Sequence, residues 1–409
     1  MVKRWAEKKL GDIAEIRMCK RVFAEQTTIN GDIPFYKIGT FGKEPDAYIS
    51  RSLYEEYKNK YSFPQKGDIL LSAAGTLGRT VVYDGKPAYF QDSNIVWLEI
   101  NKSQICNDYL YHYYKIIGWA SPEGSTISRL YNNIIYDTNI KLPSLPEQRA
   151  IASALSDADK YITALENLIA KKRAIKQGAM QELLTGKRRL PGFNGEWVER
   201  PLCKIADDIV MGQSPDSQYY NIERIGLPLV QGNADIKDRV TIIRSFTSEI
   251  TKQGNKDDII MTVRAPVGNV AKTDFECCLG RGVCAIKGND FIYQLLIYFE
   301  PRWEAMSTGS TFDSISGNEL REVKFNIPTS KSEQTAIAAV LFDMDAEIDA
   351  LTAKLEKARH IKQGMMSELL TGRIRLIQEE TDNGENKRNG AADAKPCNCL
   401  VPGQSNSWV

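Results

Sequence analysis

The stretches "LPSLPEQRAIASAL" (142–155) and "IKQGAMQELLTGKRRL" (175–190) return later as "IPTSKSEQTAIAAVL" (327–341) and "IKQGMMSELLTGRIRL" (361–376). With Glu147 placed on Glu333, the match runs without a gap over 147–190 and 333–376, and 25 of 44 positions are identical. A repeat of this length fixes the architecture before any single motif does.

Each copy opens on S-x-x-E: Ser144 to Glu147, and Ser330 to Glu333. The pattern reads as a capping box, the serine accepting from the N3 amide and the glutamate reaching back. Each copy closes on Thr-Gly, at Thr185-Gly186 and Thr371-Gly372, with glycine where a left-handed residue ends a helix. About 40 residues between these signals make a helix of roughly 60 Å. Apolar residues step by four and three: Ile151, Leu155, Ala158, Ile162, Leu165, Ile169, then Ile337, Leu341, Met344, Ile348, Leu351, Leu355, Ala358. That is the seam of a coiled coil. One such helix cannot bury its seam, so the two helices are expected to pair antiparallel, with a domain at either end. Gly178 and Gly364 recur at equivalent positions, where glycine costs about 1 kcal/mol relative to alanine. The expectation is a close backbone approach at a helix crossing, with a local kink as the alternative.

The intervening segments correspond more faintly. "WAEKKLGDIAEI" (5–16) resembles "WVERPLCKIADDI" (197–209), and "KGDILLSAAGTLG" (66–78) resembles "KDDIIMTVRAPVG" (256–268). β-branched runs broken by Gly, Asp and Asn read as short strands, and 107–120 and 290–306 as amphipathic helices. The fold class is therefore α+β, with two domains in tandem. The boundaries are 1–143 and 191–329 for the domains and 144–190 and 330–376 for the helices. Residues 377–409, polar and without period, form an expected disordered tail.

The totals exclude some functions. No apolar run approaches the ~20 residues of a membrane span, and no basic-then-apolar leader follows Met1, so a cytoplasmic location is expected. Eight cysteines lack zinc-ligand spacing, which points to reduced thiols and no metal. The net charge of +1 argues neither for nor against nucleic acid. A phosphate loop, an adenine-methyltransferase motif and a glycine-rich adenosylmethionine loop are all missing from the chain. Its two histidines, His112 and His360, read as structural.

The "LPxxPEQxxIAxxL" stretch, the heptad helix ending in "xELLTG", and the alternation with two divergent domains resemble the specificity subunit of type I restriction–modification enzymes over about 1–376. One departure is Lys331 and Ser332 in place of Leu145 and Pro146. The resemblance implies two target-recognition domains, each reading half of a split, asymmetric sequence in double-stranded DNA. It implies helices that set the half-site spacing and dock methyltransferase subunits, with restriction/translocase subunits joining through them. It also implies no catalytic role. This chain would bind no cofactor; adenosylmethionine, ATP and magnesium belong to the partner subunits. The competing readings are a self-contained DNA-modifying enzyme and a coiled-coil scaffold without DNA binding.

Matching the two domains picks out loops in which Gly adjoins Ser/Thr, Asn/Gln or Arg, the groups that contact phosphates and base edges. The candidates in the first domain are Lys37, Thr40, Ser72, Thr76, Arg79, Gln91, Asn94, Ser125, Thr126 and Arg129. In the second they are Gln231, Asn233, Arg264, Asn269, Arg281, Ser310, Thr311 and Ser316. The linker at Thr185-Gly186 is expected to act as a ruler, so that an insertion there shifts the second domain along the duplex.

Overall fold

The computed structural model describes residues 5–119, 129–307 and 314–377. The chain divides into two compact units, one running up to Ser156 and resuming at Gln363, the other spanning Asp157–Lys362. The tail from 378 onward, and Ser125, Thr126, Ser310 and Thr311, lie outside the described residues.

In the first unit an antiparallel sheet runs in the order Ala14–Met18, Ile95–Ile100, Ile69–Ser72, Thr80–Val82. The central strands, "ILLS" and "IVWLEI", are covered on both faces, which is why they read as apolar runs rather than as alternations. Successive side chains point to opposite faces. Leu71, Val96 and Leu98 therefore join one core, together with Ile151 and Leu155 of the first long helix and Leu369 and Leu370 of the second. Leu70, Ile95 and Trp97 join another, made with Phe35, Tyr89 and Phe90. A parallel pair, Ile33–Tyr36 with Tyr89–Phe90, and an antiparallel pair, Ala6–Lys9 with Asn139–Leu142, complete the frame.

The second unit repeats this order with Asp208–Met211, Val283–Lys287, Ile259–Thr262 and Val270–Lys272, and extends it with Val240–Thr241 and Ile236–Lys237. Leu227–Val230 with Cys277–Leu279, and Trp197–Pro201 with Lys324–Pro328, are the matching parallel and antiparallel pairs.

The long helices are Leu145–Leu183 and Lys331–Leu369. Within the second unit Leu165 and Ile169 pack on Ile348, Leu355 and Ala358, as the heptads require. Glu166 pairs with Arg359 at 2.6 Å, Lys172 with Glu347 at 2.6 Å and Lys176 with Asp345 at 2.5 Å. One number rises as the other falls, so the helices are antiparallel there.

Two expectations fail. Glu147 and Glu333 do not reach back to their serines. Each is wholly buried and grips an arginine from the end of the other helix copy. In the first unit Arg375 Nε lies 2.6 Å from Glu147 Oε1, and Trp5 Nε1 donates to the same carboxylate at 3.1 Å. In the second unit Arg189 Nε lies 2.6 Å from Glu333 Oε1, with Trp197 Nε1 at 3.4 Å. The bond to Glu333 raises the Arg189 pKa above its ordinary value. The serine half of the box survives at Ser330, whose Oγ accepts from Glu333 N at 3.4 Å. The second failure concerns Gly178 and Gly364. Both are exposed, and a Cβ on either would meet nothing within 4 Å, so no backbone approaches them in this chain.

Candidate nucleic-acid interface

Each unit carries one turn built in the same way. After the strand Ile69–Ser72 the chain folds back so that Ser72 Oγ donates to Thr76 O at 2.5 Å and accepts from Arg79 N at 2.8 Å. In the second unit Thr262 Oγ1 donates to Pro266 O at 2.6 Å and accepts from Asn269 N at 2.9 Å. Buried hydroxyls thus staple both turns, and Ser72, one of the residues expected at DNA, is the staple of the first. Beneath each turn lies a tryptophan. A Cβ on Gly78 would come within 2.0 Å of Trp119, and one on Gly268 within 2.2 Å of Trp303. Both glycines have positive φ, +78° and +92°, so no other residue fits either the space or the backbone.

A second loop sits beside the turn. Gln91 N donates to Tyr36 O and Ala73 N to Asn94 O; in the second unit Gly280 N donates to Val230 O and Val263 N to Gly282 O. These bonds align Gln91 with Gly280 and Asn94 with Gly282. Between them the first unit has Asp92 and Ser93, where the second has Arg281 alone. The extra residue is taken up at Ser93, which lies at φ +54°.

The other candidates fall around these loops. Arg79 Nη1 donates to Phe41 O at 2.9 Å, tying the turn to loop 36–42. In that loop Lys37 pairs with Asp46 at 2.9 Å and Thr40 Oγ1 accepts from Lys37 N at 3.1 Å. Thr76 is exposed at the turn's tip. Arg129 bridges to Ala74 across the turn, as Ser314 does to Arg264. Asn269 Nδ2 donates to Asn233 Oδ1 at 2.6 Å, and Gln231 N is held by Asp235 Oδ2 at 2.7 Å. Arg264 and Arg281 are exposed. Ser316 caps the short helix Gly317–Glu322 through its Oγ.

One loop in each unit escaped the sequence reading. The segment after Ala14–Met18 folds over loop 91–94, with Arg21 Nε 2.9 Å from Asp92 Oδ2. The segment after Asp208–Met211 does the same, Ser214 Oγ accepting from Arg281 N at 3.1 Å. "MCKRVF" and "MGQSPD" share only the methionine, so comparing the two domains could not flag them. Among the described residues no cluster of His, Cys, Asp and Glu could hold a metal, and no helix is long and apolar enough to cross a membrane. His112 is buried, with Nε2 3.1 Å from Ser156 Oγ.

A family model described as "Type I restriction modification DNA specificity domain" matches residues 2–177 and 202–359. The chain is 56% identical over 160 residues to a Haemophilus influenzae protein provisionally assigned as a type I restriction enzyme specificity subunit; that match spans 39% of this chain and 41% of the relative. It is 28% identical over 404 residues to a Methanocaldococcus jannaschii protein with the same provisional assignment, spanning 91% of this chain and 94% of the relative. Among solved structures it resembles the S subunit of a type I restriction–modification system from M. genitalium, with a TM-score of 0.60 and 18% identity, over 90% of this chain and 96% of that one. A chain from a study of complex assembly and conformational transition of the type I R-M system gives a TM-score of 0.59 at 22% identity, over 91% of this chain and all of the other. At these identities the structural likeness is one of fold.

Proposed function

The chain belongs to the type I restriction–modification DNA specificity family, and from that premise we propose how it divides the work of a specificity subunit between its parts. Each unit's domain reads one half of a bipartite target in double-stranded DNA, through the stapled turn and the loops beside it. Arg79, Arg129, Arg264 and Arg281 supply the guanidinium groups, the commonest readers of guanine. Gln91, Asn94, Gln231, Asn233 and Asn269 supply amides, and Lys37, Thr40, Thr76 and Ser316 phosphate contacts. Ser125, Thr126, Ser310 and Thr311, outside the described residues, join the candidates by sequence correspondence alone. The observation that carries this reading is a turn with one hydroxyl staple in both units, flanked by different side chains. One scaffold with two sets of reading groups is what a target of unequal halves needs.

The helices dock the methyltransferase subunits, which carry adenosylmethionine, while ATP and magnesium belong to the restriction/translocase subunits. "IKQG" occurs in both helices, and Ile175 and Ile361 are each about half exposed beside an exposed glycine. An identical apolar patch presented twice suits one partner bound in two copies. Tyr161 and Leu168, also exposed, extend the patch on the first helix at heptad spacing. Exchange of 1–140 for the matching segment of a relative tests the reading. Methylation mapped across a genome should change in one half-site only; a change in both halves would refute independent readers.

A further inference from the structure

A cavity of about 340 Å³ opens in the first unit where the loop after Ala14–Met18 meets loop 91–94. Arg21, Phe23, Lys37, Gln91, Asp92 and Asn94 line it. It is open to solvent, and Phe23 stands half exposed at its edge.

The hydrogen-bonding character of the lining is determined by bonds already made. A backbone N–H can only donate, so Ile38 N, 2.9 Å from the Gln91 side chain, fixes the amide with Oε1 toward it. Gln91 therefore offers the cavity its Nε2 donors. Arg21 is held through Nε by Asp92 at 2.9 Å, which leaves the far edge of its guanidinium as further donors. Lys37, paired with Asp46 through one ammonium proton, has further protons to donate. Asp92, engaged by Arg21 through Oδ2, keeps a second carboxylate oxygen as an acceptor. A carboxylate in the lining argues against a site for phosphate alone.

We propose that this cavity reads a G·C base pair in the half-site recognised by the first domain, with Arg21 and Gln91 donating to guanine O6 and N7 and Asp92 accepting from cytosine N4. In the major groove only guanine presents two acceptors, and cytosine presents the amino donor beside them. The assignment rests on the DNA-reading role proposed above and adds Arg21 and Asp92, which sequence correspondence did not reach, to Gln91, which it did. The second domain supports it by contrast. At the place of Arg21 and Asp92 it has Ser214 and Arg281, also joined by a hydrogen bond, so the charges differ while the loops keep their meeting point. The position carries the difference between two readers.

The test uses the full chain assembled with its methyltransferase subunits. Arg21→Gln removes the charged donor from an exposed side chain. Gln91→Glu keeps an oxygen for Ile38 N, so the loop keeps its bond, and exchanges the Nε2 donors for a second oxygen that carries negative charge. Genome-wide methylation mapping should show one G·C position of the first half-site relaxed in both variants and the second half-site unaltered. Binding of a duplex carrying 7-deazaguanine at that position should weaken on the order of tenfold or more for the unaltered protein and much less for Gln91→Glu. Three outcomes would overturn the assignment: an unaltered first half-site, an A·T pair at the affected position, or, for Arg21→Gln, equal weakening on every sequence, which marks a phosphate contact. A wild-type complex that methylates without sequence preference would instead sink the DNA-reading role itself.

Discussion

Glu147 and Glu333 show how a correctly noticed motif can be assigned the wrong partner. Both stand at the fourth position of a capping sequence, and both are completely buried against an arginine. The arginine that holds Glu147 is 228 residues away, a distance no local pattern reports. Removing the glutamate leaves the arginine without its partner and the indole N–H without its acceptor, which destabilises the fold around them. Glu147→Ala should therefore lower the urea midpoint of the first unit sharply, and Glu333→Ala that of the second. Replacing Glu147 and Arg375 together by apolar residues should cost far less, and equal losses from single and paired changes would show that the ion pair is not the reason. The thiols give a second expectation. Burial pushes Cys19, Cys277 and Cys284 up to about 12, so at pH 8 they should resist alkylation until denaturant is added. Rapid labelling of the native protein by mass spectrometry would contradict that. Roles within the loops were less legible than burial. Ser72 and Thr76 look alike in a loop sequence, yet one staples the turn and the other stands exposed at its tip.

The long helices were legible because a heptad is a local signal, and the seam at Leu165, Ile169, Ile348 and Leu355 packs as the spacing demanded. The strands of the four-stranded core announced themselves as short apolar runs between turn residues. The loops did not: Gly78 and Gly268 were visible as glycines, but nothing in the sequence said that Trp119 and Trp303 lie against them. Gly78→Ala and Gly268→Ala should destabilise their units, since a Cβ would overlap an indole and strain a positive φ. A melt of either variant within a degree of wild type would argue that the turn can shift. The helical glycines should respond in the opposite sense. Gly178 and Gly364 face open space, so each change to alanine should stabilise the free protein by about 1 kcal/mol, read as a raised thermal midpoint. If the same variants fail to bind methyltransferase subunits in gel filtration, the space belongs to the partner.

The repeat made the architecture of the molecule legible, because two domains separated by copies of one helix leave few topologies. The expectation of a ruler at Thr185-Gly186 meets a competing reading in the structure. Gly186 packs on Trp197, and Arg189 and Trp197 both hold Glu333, so the chain around the linker is pinned on either side. One residue inserted at the exposed Gly192 should leave the gap between half-sites unchanged, whereas a heptad added to both long helices should lengthen it; methylation mapping of the two variants distinguishes them. The pairing of Arg375 with Glu147 has a consequence in time. The second unit is one continuous segment, but the core of the first needs Leu369 and Leu370. During synthesis the first domain to leave the ribosome must wait, unfinished, while about 200 further residues are made. At about 5–20 residues per second that is roughly 10–40 s with an open apolar face. Nascent chains halted with Lys362 just outside the ribosome should resist a protease pulse in the second unit and be cut in the first, so that the domain made first is the last to be completed.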